Sequence, residues 1–127
     1  MCLFCQFIKG EKKTEVVYQD EEVFAFKDIN PLAPVHILII PKKHISSIAE
    51  IKETDIELLG KMIFVAKKIA DDFDLSEKGY KLLFRVKEYG GQVIEHIHLH
   101  LIGGGPLYED IHPLLGSYSV YSLACRT

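Results

Sequence analysis

Three histidines alternate with apolar residues in the stretch HIHLHL. Successive side chains of a β-strand point to opposite faces, so His96, His98 and His100 would share one face, about 7 Å apart at their Cα atoms. The apolar residues between them would point into a core. The spacing therefore predicts a strand with one packing face and one face that can do chemistry.

Three interpretations of this histidine face compete. A surface strand is the first, but Glu, Lys or Thr would solvate an edge at lower cost than histidines that repel one another when protonated. A metal held by these three residues alone is the second, but donors in a row on a straight strand match a tetrahedral shell poorly. The third is nucleophilic catalysis, in which a neutral imidazole attacks phosphorus while its neighbours orient it and stabilise charge.

A second reactive pattern lies at the N-terminus, where Cys2 and Cys5 have C-x-x-C spacing. Two thiolates at this spacing can supply half of a tetrahedral zinc shell. A redox pair is an alternative, although no βαβ pattern surrounds it. Incidental burial is another, because free cysteine packs as a small hydrophobe. The spacing alone leaves all three open, and lone Cys125 is expected to be inert.

The elements that must position these residues follow from hydrophobic patterning. Strands are predicted over 15–19, 22–27, 35–41, 80–86 and 94–102, and the cysteine pair lies on a short N-terminal helix. One long helix is predicted between the third and fourth strands. This order predicts an α+β fold, a mainly antiparallel meander of about five strands with the long helix on one face.

The long helix is predicted over 55–74 from a capping box and a helical repeat of apolar residues. Thr54 would be its N-cap and Glu57 would complete the box. The apolar residues at helical spacing, which we expect to face the sheet, are Ile56, Leu59, Ile63, Ala66, Ile69, Ala70 and Phe73.

Composition sets broad limits on the class of protein. The chain has 127 residues, 48% hydrophobic and 26% charged, with a net charge of −3. These values predict one domain over 1–127, with a core over 2–106 and a tail over 107–127. Nothing in them calls for a nucleic-acid or membrane partner, and no apolar run approaches the roughly 20 residues of a membrane span. Without a secretory signal pattern at the N-terminus, a cytoplasmic location is expected.

The flanks of the histidine stretch extend the pattern to a family resemblance. HIHLHLI, at 96–102, matches the His-φ-His-φ-His-φ-φ pattern of the histidine triad (HIT) superfamily. FAFKDINPLAPVHILIIPKKHIS, at 24–46, and GGQVIEHIHLHLIGG, at 90–104, resemble the segments of its Hint branch, small nucleoside phosphoramidate hydrolases. The resemblance implies a HIT-like fold, a homodimer, and cleavage of a P–N or P–O bond at the α-phosphate of a purine nucleotide.

The same resemblance implies roles for individual residues. His98 would be the nucleophile that forms a covalent nucleotidyl-histidine, and His100 would contact the phosphate. His36 would help to hold the protonation state of the nucleophile, and Gln92 would lie beside the phosphate or leaving group. The nucleotide contacts implied are those of Phe26, Asp28, Ile29, Gly91, Gln92, His98 and His100.

A structural zinc is also implied, because many bacterial members carry an N-terminal C-x-x-C. Its ligands would be Cys2, Cys5, His44 and His96, all of which are present. His96 would then anchor its segment on the metal and leave His98 free to react.

Two departures from the family pattern affect the expected activity. Arg85 stands where asparagine is common, and Val93 stands where serine or threonine is frequent. The chain also has no tryptophan, which the tails of close Hint relatives contain. Arg85 and Val93 keep open an alternative hypothesis, a low-turnover nucleoside-monophosphate-binding or interaction module. A weaker third hypothesis is a structural zinc protein without nucleotide binding.

Overall fold

The structure, a computed structural model, describes residues 2–109 and 111–113. The helices are α1 (Leu3–Lys9) and α2 (Ile56–Asp72), and the strands are β1 (Val16–Gln19), β2 (Val23–Lys27), β3 (Val35–Pro41), β4 (Lys81–Phe84) and β5 (Leu99–Gly103). Two short 3₁₀ turns, Ile48–Glu50 and Glu53–Asp55, lead into α2. The predicted short N-terminal helix and long central helix are both present.

The strands form one antiparallel sheet of five strands in the order β1-β2-β3-β5-β4. The first three strands form a meander. β4 lies at the sheet edge, and β5 returns between β3 and β4, so the two strands after α2 are not added in chain order. The α+β prediction with an antiparallel sheet is confirmed.

Apolar side chains cover both faces of this sheet. On one face β3 contributes Ile37 and Ile39 to the larger core, which packs under α2. On the other face it contributes Leu38 and Ile40 to a smaller core that includes residues of α1. β3 is therefore buried on both faces, which explains its nearly continuous apolar sequence.

Helix α2 faces the sheet with a different stripe from the one predicted. Met62 and Val65 are buried, together with Ala66, Ile69 and Ala70, whereas Ile56 and Ile63 are 64% and 48% exposed. The expectation that Ile56 and Ile63 face the core was therefore wrong. The apolar surface of the helix is wider than the face the sheet covers, so periodicity alone did not identify the buried side.

The start of α2 also differs from the predicted capping box. The N-cap position is Asp55, not Thr54. The carboxylate of Asp55 accepts hydrogen bonds from the Lys52 backbone at 2.9 Å and from Lys43 Nζ at 2.8 Å. It therefore closes the preceding 3₁₀ turn and ties it to the end of β3.

The last strand begins at Leu99, although the alternation predicted a start at residue 94. Pairing between β3 and β5 ends at Ile39 opposite Leu99. Further along β3 lies Pro41, which has no backbone N–H to donate to a ladder. The backbone N–H of Ile97 instead donates to the Ile45 carbonyl at 2.8 Å. Consequently only His100 belongs to the strand, whereas His96 lies in a bend over 94–96 and His98 immediately precedes the strand.

Most of the predicted tail, 107–127, lies outside the described residues, as does Cys125. Within the described part of the chain, no helix is long and apolar enough to cross a membrane.

Candidate functional site

Four predicted metal ligands converge between α1, the end of β3 and the segment before β5. Cys2 Sγ lies 3.4 Å from His96 Nδ1, and Cys5 Sγ lies 3.4 Å from His44 Nδ1 and 3.7 Å from His96 Nδ1. The two Nδ1 atoms are 3.1 Å apart. All four donor atoms lie within 4.8 Å of one another. The structure therefore brings together every residue of the predicted set.

The separations of 3.4 and 3.7 Å lie in the range expected around a tetrahedral metal ion, and the 3.1 Å between the two Nδ1 atoms is slightly shorter than that range. Zn–S bonds of about 2.3 Å and Zn–N bonds of about 2.0–2.1 Å place the ligand atoms about 3.3–3.8 Å apart in a tetrahedral shell. His96 Nε2 donates a hydrogen bond to the Pro41 carbonyl at 2.8 Å. That bond places the proton on Nε2 and leaves the Nδ1 lone pair facing the cluster, as metal-bound histidines require. The donor set and the tautomer of His96 both suit zinc.

The predicted nucleophile, His98, is held in one tautomer by the backbone. Its Nδ1 donates to the carbonyl of His96 at 2.7 Å, so the lone pair is on Nε2. Nε2 is buried and has no hydrogen-bond partner among the described residues. Phe4 of α1 packs edge-on against the imidazole, with ring centroids 5.2 Å apart. The ring is therefore fixed in orientation with its reactive atom unpaired.

His36 and His100 form a hydrogen-bonded pair beside His98. His36 Nε2 lies 2.9 Å from His100 Nδ1, and the centroids of the His98 and His100 rings are 4.9 Å apart. The backbone N–H of Leu32 donates to His36 Nδ1 at 3.1 Å, and Asp28 Oδ2 lies 3.5 Å from His36 Nε2. Asp28, His36 and His100 also lie close enough to resemble a metal site. However, the Leu32 bond leaves the proton on His36 Nε2, which favours a hydrogen-bond chain over metal ligation.

Burial keeps these imidazoles neutral. It is the main cause of the lowered pKa values of His36, His98 and His100, and it lowers the pKa of His96 to about 4. For His98 this means that the nucleophilic lone pair is present near pH 7.

The residues predicted to hold the nucleoside line one largely apolar cavity. Asp28 lies at the end of β2, and Phe26 is buried whereas Ile29 is exposed at the rim. Sequence reasoning missed a wall of this cavity that α1 and the following loop supply: Leu3, Phe4, Phe7 and Thr14. The helical spacing of the apolar residues in LFCQF was the available signal. Thr14 Oγ1 is buried without a hydrogen-bond partner.

The remaining predicted residues, Gly91 and Gln92, lie at the end of a turn over 87–91, which is called the glycine turn below. The Gln92 amide donates to the carbonyls of Ser46 at 2.6 Å and Ile94 at 2.9 Å, and it accepts from the Lys87 backbone at 2.9 Å. Its side chain is thus occupied with the backbone, and a phosphate contact from it stays a prediction. Gly91 has φ +83° and lies under the Arg85 side chain. Val93 borders the apolar cavity.

The family comparison agrees with this geometry. The HIT domain family matches residues 9–107 of the chain. The chain belongs to the HIT family.

Similar proteins extend the agreement over most of this HIT domain. Purine nucleoside phosphoramidase of Escherichia coli K12 is 45% identical over 105 residues, which cover 83% of this chain and 88% of the relative. The structure of a HIT family hydrolase from Legionella pneumophila has a TM-score of 0.84 at 49% identity, covering 85% of this chain and 96% of that one. A histidine triad protein from Clostridium difficile has a TM-score of 0.84 at 34% identity, covering 87% and 96% respectively.

Cys5→Ser should remove one ligand from the four-residue cluster of this HIT domain. We expect the variant to lose its bound metal and to melt at least about 5 °C lower, because metal binding contributes to folding stability. Elemental analysis and thermal melting of the purified protein test this. Cys125→Ser is the matched control and should change neither quantity. A Cys5→Ser protein with full metal content and unchanged melting would contradict the assignment.

The buried His36–His100 pair predicts a dependence of stability on pH. Both groups have folded pKa values below the ordinary 6.5. The unfolded chain therefore binds more protons below pH 6.5, and the free energy of unfolding should fall as the pH falls. His100→Asn should reduce this slope between about pH 5 and about pH 6 by about 1 kcal/mol per pH unit. Urea unfolding at several pH values measures it, and equal slopes would refute the prediction.

Proposed function

We propose that this chain, one HIT domain over 1–127, is a nucleotide hydrolase or transferase that cleaves a P–N or P–O bond at the α-phosphate of a purine nucleotide. The observation that carries the proposal is the buried, unpartnered Nε2 of His98, whose lone pair is fixed by the bond to the His96 carbonyl. The printed activity of the Escherichia coli relative, a purine nucleoside phosphoramidase, supports the substrate class.

The reaction proceeds in two displacements. His98 Nε2 attacks the α-phosphorus, and the P–N or P–O bond to the leaving group breaks with its electron pair on that group; an amine also takes up a proton from water. The product is a covalent nucleotidyl-histidine. Water then attacks the same phosphorus and gives one proton to the solvent, the bond to Nε2 breaks, and the electron pair returns to the imidazole as nucleoside monophosphate leaves. Another acceptor in place of water gives a transferase.

The surrounding residues position the substrate for this attack. The base occupies the apolar cavity between Phe26, Ile29 and α1, and Asp28 accepts hydrogen bonds from the ribose hydroxyls. His100 contacts the phosphate, since its ring is adjacent to that of His98. His36 holds the tautomer of His100 through the bond of 2.9 Å between them. Such reactions depend mainly on positioning and charge stabilisation.

Zinc has a structural role in this proposal. Cys2, Cys5, His44 and His96 together supply the four donors of a closed tetrahedral shell, which is typical of structural sites. The metal would hold the first turn of α1 against the sheet. Because α1 forms one wall of the cavity, the zinc site also supports the nucleotide site.

His98→Asn tests the nucleophile. With an adenosine phosphoramidate or a dinucleoside polyphosphate as substrate, we expect the parent to release AMP. The variant should lose about 10³-fold or more in kcat/KM, because asparagine has no nucleophilic lone pair. Mass spectrometry of the quenched parent should detect an adduct of one AMP that the variant lacks.

His112→Asn is a suitable control, because His112 is an exposed histidine that has no role in the proposed mechanism. It should retain full activity. If the parent binds AMP but neither cleaves a substrate nor forms an adduct, the low-turnover binding module is the better description, and the covalent mechanism is refuted.

We further propose that two copies associate through α2 and the edge strand β4. Ile63 and Phe64 on α2 are 48% and 61% exposed. Ile56 lies about two turns earlier on the same side of the helix as Ile63. β4 pairs only with β5 among the described strands, so its other edge is available for pairing. An exposed apolar patch and a free strand edge are each typical of surfaces through which subunits associate.

Phe64→Glu should disrupt this dimer. Sedimentation of the parent should give twice the chain mass of 14.5 kDa, and the variant should shift toward the monomer, because a buried unpaired carboxylate is costly at an interface. Tyr89→Glu changes a residue that is 94% exposed in a turn and should leave the parent mass unchanged. A Phe64→Glu protein that sediments as the parent does would argue against this interface.

A further inference from the structure

Arg85 lies beside His100, one of the histidines of the proposed site. It follows the last residue of β4, and its Nη1 atom is 3.2 Å from His100 Nε2. The side chain runs across Gly91, where a Cβ atom would lie 3.5 Å from Arg85 Cδ. The half-buried guanidinium is therefore supported from below by the glycine turn and directed at the imidazole that neighbours the nucleophile.

Leu32 N–H, His36, His100 and Arg85 form a row of groups in which hydrogen-bond donors outnumber the acceptors available to them. Leu32 N–H donates to His36 Nδ1 at one end, and Arg85, which has only donors, faces His100 Nε2 at the other. Two neutral imidazoles in contact carry one proton each. If His36 Nδ1 accepts from Leu32 and His100 Nε2 accepts from Arg85, the two imidazole protons lie on His36 Nε2 and His100 Nδ1. These two N–H groups then point at each other across 2.9 Å.

The other arrangement of the imidazole protons also leaves two donors facing each other, at a different place in the row. With His36 Nε2 donating to His100 Nδ1, the proton of His100 is on Nε2 and faces the Arg85 Nη1 donor at 3.2 Å. Two donors that converge at this distance make a site for one acceptor, and a negatively charged oxygen is the strongest acceptor for such a pair. The outer end of the row is thus arranged to bind an oxyanion.

The charges around Arg85 agree with an anion site. The histidines are neutral, and Arg85 adds a positive charge that acts on His36, His98 and His100 alike, although burial has the larger effect on the pKa of each. Asp28 supplies an opposite charge that acts on Arg85. It already accepts from the Asn30 backbone at 2.9 Å and lies beside His36. The guanidinium therefore keeps donors for a ligand oxygen.

We propose that Arg85 and His100 together bind one non-bridging oxygen of the α-phosphate, and that Arg85 makes the site select nucleotides over uncharged nucleosides. This inference rests on the proposed function of the same site. In the first displacement the negative charge on that oxygen is retained as the new bond to His98 forms. A fixed guanidinium stabilises this charge without reorganisation. Arg85 is then a catalytic residue of this chain.

A binding experiment with AMP and adenosine tests this role. Arg85→Gln keeps a long polar side chain and removes the charge, so we expect AMP affinity to fall at least about 10-fold while adenosine affinity stays within about twofold. Arg85→Lys should give a smaller loss, because it keeps the charge but not the planar fork. Lys87→Gln is the matched control, since Lys87 pairs with Glu50 at 2.9 Å on the surface, and it should bind both ligands as the parent does.

Two results would overturn the proposal. Arg85→Gln with the AMP affinity of the parent would show that the guanidinium does not bind phosphate. Equal losses for AMP and adenosine would show that Arg85 only supports the fold of the pocket. Thermal melting identifies an Arg85→Gln protein that fails to fold. In that case Arg85→Lys provides the test, and an unchanged ratio of AMP to adenosine affinity in that variant would overturn the proposal. If the parent releases AMP from a phosphoramidate in either case, the proposed function stands without Arg85; a parent that binds no AMP refutes both.

Discussion

His96 is the residue on which the two halves of the site depend. Its Nε2–H donates to the Pro41 carbonyl, its Nδ1 faces the two cysteines, and its own carbonyl accepts the Nδ1–H of His98. One residue therefore connects the end of β3, the candidate metal site and the proposed nucleophile, His98. These bonds assign the protons of both imidazoles. Loss of the proposed metal would therefore make the His96 carbonyl, which fixes the tautomer of His98, less rigidly held.

The two faces of the sheet are used differently. The face under α2 is closed by aliphatic packing, with Ile37 and Leu101 fully buried. The opposite face carries the histidines, and it is covered mainly by α1, a helix of 7 residues. So short a helix has little stability of its own. Attachment of Cys2 and Cys5 to the proposed metal would hold Phe4 against His98 in a fixed position.

Much of this arrangement could be predicted from the sequence, for reasons that also define its limits. Alternation and C-x-x-C spacing are local signals, so the histidine face and the cysteine pair could be identified before the fold was known. The resemblance to the family, and not the spacing, joined His44 and His96 to the two cysteines as one ligand set. The buried side of α2 could not, because both Met62 and Ile63 fit an apolar stripe. Nor could the late start of β5, which depends on Pro41 in another strand. The contact between Arg85 and His100 likewise arises only from the pairing of β4 with β5.

The distribution of hydrogen bonds around the site supports a reactive centre more strongly than any single distance. Burying an imidazole without partners is costly, and most nitrogens of the buried histidines have one. Among the described residues, the buried side-chain atoms without a partner are His98 Nε2 and Thr14 Oγ1. One is the proposed nucleophile, and the other lines the proposed base cavity. The part of the chain that the structure describes therefore satisfies its other buried polar side-chain atoms and leaves unpaired two atoms of the proposed nucleotide site.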